Sequence, residues 1–318
     1  MRIQDIAKKA GVSTATISRV FSNHPNIRPE VREQVLSVAR KYGFRPRLSS
    51  RKRNVVIVIP SKLVYPIQSY TEMVTAELAR ELSQRDYRIE FLPQDNLDRL
   101  NGIQFCGALF VGVEDALISN WDEHFDAPLV LIDRVPDAPC RGVFSIHSDE
   151  AQGMELAINY LAKTGHKRIG CLISSMGLGN STLREQGIIK ALQNNKLPVD
   201  LTLICQVGPE STLEAVGKML RNGVDAFFCP GGNGGIIVAY ALSLYGKQIP
   251  DDVSVIASER VMVSRYCVPA QTVITQDYGT LVKSSVDVID AYLEGREFPV
   301  ATTLPYSLII RDSVTIRA

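Results

Sequence analysis

Metal chemistry and a disulfide framework are the first things this 318-residue chain lacks the residues for. Its six cysteines (Cys106, Cys140, Cys171, Cys205, Cys229 and Cys267) stand far apart, with no C-x-x-C pair and no histidine at ligand spacing. They read as small, mostly buried apolar residues, and no metal site is expected. The four histidines (His24, His124, His147 and His166) are scattered. No nucleophile stands in a recognisable arrangement with a base, which argues against an enzyme. His166, in Gly-His-Lys-Arg-Ile, reads as a structural turn residue. Gly231-Gly232-Asn233-Gly234-Gly235 lacks the lysine and spacing of a P-loop, so no nucleotide cofactor is expected. No stretch approaches the roughly 20 apolar residues of a membrane span. Met1 to Ala10 mixes Arg2, Asp5, Lys8 and Lys9 with isolated apolar residues, unlike a secretory leader, so a cytoplasmic protein without a membrane partner is expected.

What is present is an uneven charge. Residues 1 to 53 carry thirteen Lys or Arg against three acids, a net +10, and because the whole chain is +1 the remainder carries −9. A small basic head on an acidic body points to a polyanion as the head's partner, since counterion release drives binding while the body stays soluble. Within the head, Ile3, Ile6, Ala7 and Ala10 form the apolar stripe of a short helix that Gly11 closes. Ser13 is a good N-cap for a second helix with Ile17, Val20 and Phe21 inward. Pro29 suits the first position of a third, whose expected inner stripe is Val31, Val35, Val38, Ala39 and Tyr42. Two helices joined by a tight glycine turn form a helix-turn-helix, whose second helix enters the major groove. Thr14, Ala15 and Thr16 are short enough to touch base edges, and Arg19 can fork onto guanine O6 and N7.

The run from Ile3 to Val20 closely resembles the headpiece of the lactose and purine repressor family of transcription regulators. The resemblance implies base reading by Thr14, Ala15 and Arg19, and phosphate contacts from Ser13, Thr16, Ser18, Asn23 and the start of the third helix. Arg28 replaces the usual Ser or Thr before Pro29, which weakens that cap but offers a further phosphate contact. Relatives also carry a hinge helix that pushes a leucine into the minor groove. Here Pro46 is only nine positions from Val55 and the interval holds a single leucine. The expectation is an extended basic arm in which Arg47, Arg51, Lys52 and Arg53 follow phosphates, Leu48 is a poor wedge and the operator bends little.

Beyond the arm, Val55 to Ile59 is a continuous β-branched run, as in a parallel strand buried on both faces. Helix and strand patterns then alternate to residue 256, arguing for two doubly wound parallel sheets. The resemblance extends here through Asp149-Glu150-Ala151-Gln152-Gly153, Arg184-Glu185-Gln186-Gly187, Ile249-Pro250-Asp251-Asp252-Val253 and Arg311-Asp312-Ser313. It implies an all-α helix-turn-helix headpiece at 1–46, a short basic linker at 47–54, and an α/β periplasmic-binding-protein-like core at 55–318. The core's N-subdomain is expected at about 55–145 and 274–301, its C-subdomain at about 146–273 and 302–318. A homodimer on a palindromic double-stranded DNA operator is implied, with a small, carbohydrate-like effector bound between the subdomains. The matching effector positions are Tyr65, Gln68, Asn180, Arg184, Val207, Gly231 and Glu259. Val207 stands where relatives often have an aromatic platform, Gly231 where most have Asn, and Glu259 where Asp is usual, so the effector's identity stays open. A solute-binding protein of a transport system shares the core's fold and is the alternative; the basic head argues against it.

Overall fold

Residues 2–22, 24, 26–44, 53–61, 70–113, 116–174, 180–259 and 263–317 are described by the structure, a computed structural model. The head forms three helices, α1 (Ile3–Lys9), α2 (Thr14–Phe21) and α3 (Pro29–Lys41). Ser13 caps α2, its hydroxyl accepting the Thr16 N–H at 3.0 Å. Gly11 makes the turn at φ +60°, a left-handed conformation that costs glycine little. Gln34 of α3 closes the turn from the other side by donating to the Ala10 carbonyl at 3.0 Å. Ile6, Ala10, Ile17, Val20, Val35, Leu36 and Ala39 share one apolar cluster.

Tyr42 corrects the expected stripe of the third helix: it lies past the end of α3, is 39% exposed, and carries the Lys9 ammonium 4.2 Å from its ring centroid. Leu36 turns inward instead, because the buried face centres on Val35, Leu36 and Ala39.

The rest of the chain builds two sheets, with elements numbered in chain order. The first sheet comprises β1 (Asn54–Ile59), β2 (Arg88–Pro93), β3 (Gly107–Val111), β4 (Leu129–Ile132), β5 (Val143–Ser148) and β11 (Ala301–Leu304), in the order β11-β5-β4-β3-β1-β2. The pairs β1–β2, β1–β3, β3–β4 and β4–β5 are parallel. With them go α4 (Tyr70–Gln84), α5 (Trp121–His124) and α10 (Tyr278–Glu294). Val55 to Val58 are fully buried, which explains the unbroken β-branched run.

The second sheet comprises β6 (Ile169–Ser174), β7 (Ile204–Val207), β8 (Ala226–Cys229), β9 (Ser254–Ser258), β10 (Thr272–Thr275) and β12 (Ser307–Ile309), in the order β12-β10-β9-β8-β6-β7. Only the β10–β12 pair is antiparallel. Its helices are α6 (Glu150–Lys163), α7 (Asn180–Asn194), α8 (Pro209–Arg221) and α9 (Gly234–Leu244).

The chain divides into two compact units. One joins the head and β1 to Thr71–His147 and Tyr278–Thr302; the other is Ser148–Asp277 with Thr303–Ala318. Because β10 stays with the second sheet, the return to the first unit begins at Tyr278 rather than at 274. Buried His166 spans α6 and β9, its Nε2 2.9 Å from the Ser254 hydroxyl and its Nδ1 3.0 Å from that of Thr164, so it is structural.

Candidate functional site

The head presents a row of polar side chains on α2. Thr14, Ala15, Ser18 and Arg19 are exposed, while Ile17, Val20 and Phe21 are buried beneath them. The row is rigid because the Ser13 cap and the Gln34 bond fix both ends of the turn that aims α2. Thr16 is half-buried, with its hydroxyl 2.9 Å from that of Ser13, so these two hydroxyls are partly occupied with each other. Arg28 is exposed and makes no side-chain cap on α3, as its sequence position predicts. Asn23, Arg47, Leu48, Arg51 and Lys52 lie outside the described residues. Arg53 is described and is turned toward the core: its guanidinium donates to the Arg85 carbonyl at 2.9 Å and lies 5.1 Å from the Tyr87 ring centroid.

A second cluster occupies the carboxyl ends of the strands in the second sheet. There the strand order reverses between β6 and β8, the place where open α/β sheets leave a ligand crevice. Arg184 of α7 pairs in fork geometry with Glu150 of α6, Nε to Oε2 at 2.8 Å and Nη2 to Oε1 at 2.9 Å. Asn180 donates to the same Glu150 Oε1 at 3.3 Å, and the Tyr306 hydroxyl does so at 3.2 Å. Gly231 adopts φ +79° beside the pair, and a Cβ there would stand 2.2 Å from Arg184 Nη1. The backbone N–H of Gly231 meanwhile donates to Ser258 Oγ at 2.8 Å. A side chain at 231, as in an Asn-bearing relative, therefore requires the arginine to move.

Glu259, at the end of β9, is buried and receives Arg311 Nη2 at 2.7 Å, while Arg311 Nη1 holds the Gln271 carbonyl at 2.7 Å. Val207 is half-buried against the apolar cluster beneath α8 and α9. Tyr65 and Gln68 lie outside the described residues. Sequence reasoning thus named Asn180, Arg184 and Gly231, which the fold brings together, but not Glu150, Tyr306 and Ser258, which hold them. Glu150 lay inside a family-like run, and what the sequence did not show was that α6 and α7 face each other across 34 residues. Among the described residues no group of three or more His, Cys, Asp or Glu could hold a metal ion. No helix among them is long and apolar enough to cross a membrane.

Two family profiles match this arrangement, one for bacterial regulatory proteins of the lacI family over residues 2–47 and one for the periplasmic binding protein-like domain over residues 158–314. The chain belongs to the lacI family. Among relatives, it is 26% identical to the HTH-type transcriptional repressor CytR of Escherichia coli (strain K12), over 98% of this chain and 95% of the relative. It is 26% identical to the repressor PurR of Yersinia pestis (strain Pestoides F), over 98% and 96%. The probable repressor ExuR of Bacillus subtilis (strain 168) is 24% identical, over 84% of each chain. Among solved structures, a transcriptional regulator CelR–cellobiose complex aligns with TM-score 0.73 at 22% identity, over 98% of this chain and 99% of the other. The lac repressor dimer bound to operator and the anti-inducer ONPF aligns with TM-score 0.70 at 20% identity, over 99% of both. These likenesses establish the family fold, a helix-turn-helix head followed by a two-unit α/β core.

Proposed function

We propose that this lacI-family chain is a sequence-specific, DNA-binding transcription regulator of repressor type that reads a palindromic operator as a dimer. The observation that carries the reading is the exposed row Thr14, Ala15, Ser18 and Arg19 on a capped second helix, set in a head of net +10. A transport solute-binding protein has no use for such a head, and the relatives reported above are named repressors. Work on DNA places the protein in the cytoplasm. The headpiece at 1–46, the linker at 47–54 and the core at 55–318 then divide reading, reach and regulation among them.

The effector reading rests on the cluster of Asn180, Arg184 and Gly231. Both charged candidates face a partner of opposite sign within the second unit, Arg184 with Glu150 and Glu259 with Arg311. A ligand of hydroxyl groups can share those fixed donors and acceptors without importing a charge, so an uncharged, carbohydrate-like effector suits the site. Val207 offers it no aromatic face.

Selection of bound duplexes from a random library with the full-length protein tests the function. A palindromic consensus is expected, and Arg19→Ala should cost about 1 to 3 kcal/mol and relax preference at one symmetric base pair. A uniform loss on every sequence would make Arg19 a phosphate contact.

A further inference from the structure

Arg53 enters the first sheet at its amino edge, where the basic linker meets the core. It is held there by more than its backbone. Its carbonyl accepts the Arg88 N–H at 2.7 Å, its guanidinium donates to the Arg85 carbonyl at 2.9 Å, and the same group lies 5.1 Å from the Tyr87 ring centroid. Both platforms are themselves pinned. Arg85 Nη1 bonds Asp287 and Asp290 of α10, each at 2.7 Å, and Arg85 Nε bonds Glu81 of α4 at 2.9 Å. Buried Tyr87 donates its hydroxyl to Asp290. A guanidinium engaged in a carbonyl bond and a ring face is oriented by both, as an ammonium would not be.

We infer that Arg53 is a positioning residue for operator recognition: this clasp sets where and in which direction each linker leaves the core, and so fixes the half-site spacing that the dimer accepts. The inference rests on the DNA-binding reading and replaces a phosphate role for Arg53. The sizes agree with it. Eight residues, 45 to 52, separate Phe44 from Arg53, and each spans at most about 3.6 Å. Freeing one more residue per subunit adds about 7 Å to the pair, on the order of two base-pair rises of 3.4 Å. A dimer with its linkers clasped therefore distinguishes operators one base pair apart, and an unclasped one does so poorly.

The experiment compares full-length wild type, Arg53→Ala and Arg53→Lys on the selected palindrome and on copies with one central base pair added or removed. Binding is read by fluorescence anisotropy across a range of salt. In Arg53→Ala the preference for the native spacing is expected to fall several-fold with an unchanged salt slope. Arg53→Lys, which keeps the charge but not the fork, should fail to restore the preference. Thermal melts at the wild-type temperature establish that the variants are folded. Overturning results are a salt slope flatter by about 0.9 in Arg53→Ala with spacing preference intact, and full recovery by Arg53→Lys, which together describe a phosphate contact. A wild type that selects no palindrome sinks the DNA-binding reading itself, a failure distinct from equal spacing preference in all three proteins.

Discussion

Arg184 illustrates how a residue's role depends on partners that its neighbours in sequence do not reveal. Its side chain is only 13% exposed and that of Glu150 6%, so each charge is largely withdrawn from water and stabilised by the other. Such a pair contributes little net stability, but removing one member leaves an uncompensated buried charge. Arg184→Ala is therefore expected to destabilise the protein by about 3 kcal/mol or more, before any effect on a ligand. Pairing it with Glu150→Gln should return much of that loss, and urea unfolding of the two single variants and the double variant measures the coupling. A single variant as stable as wild type would show that the carboxylate is already satisfied elsewhere. Sequence pattern identified Arg184 as a donor and Gly231 as unusual, two facts that are one fact in the fold, because the missing Cβ is the space that Nη1 occupies.

Elements were legible in proportion to how local their causes are. The cap at Ser13, the proline opening α3 and the β-branched run of β1 act over a few residues, and each was readable directly. The strand Val143–Ser148 and the helix Tyr278–Glu294 were not. Val143–Ser148 alternates with polar residues, and α10 buries Leu281, Val282, Ser285, Val286 and Ile289 on a broad face whose reason is the tertiary fit of Ile289 against Gly107. Helix α9 poses the opposite case, apolar where the fold leaves it uncovered. Ile236, Tyr240 and Leu244 recur every four residues and are exposed, Tyr240 at 63%, with Leu213 and Tyr245 also exposed nearby. Apolar stripes of that kind on a regulator that works as a dimer belong to a partner copy. Tyr240→Asp with Leu244→Asp should convert the dimer to monomer at micromolar concentration, with the secondary structure kept. Sedimentation velocity distinguishes the two, and an unchanged dimer would place the interface elsewhere.

The molecule as a whole separates reading from support. The head's apolar cluster runs from Ile3 to Phe44 without a residue of the core, and the core's clusters close on themselves. Arg40 nevertheless donates to the Asp122 carbonyl at 2.9 Å, so the head also touches the amino side of the first unit beside α5. Charge divides the same way, +10 on residues 1 to 53 and −9 on the remainder. A fragment of residues 53–318 should accordingly remain a folded dimer, since it keeps the clasp at Arg53, both sheets and the α9 stripe. It should bind no DNA at any salt, because an acidic surface repels phosphates and the reading row is gone. The full-length protein should instead lose affinity steeply as salt rises, with a slope that counts the phosphates its head and linker neutralise. Anisotropy with the selected palindrome over about 50 to 200 mM salt measures both proteins. Specific binding by the fragment would mean that the core reads DNA, and a flat slope for the full chain would mean that its basic head does not meet phosphates.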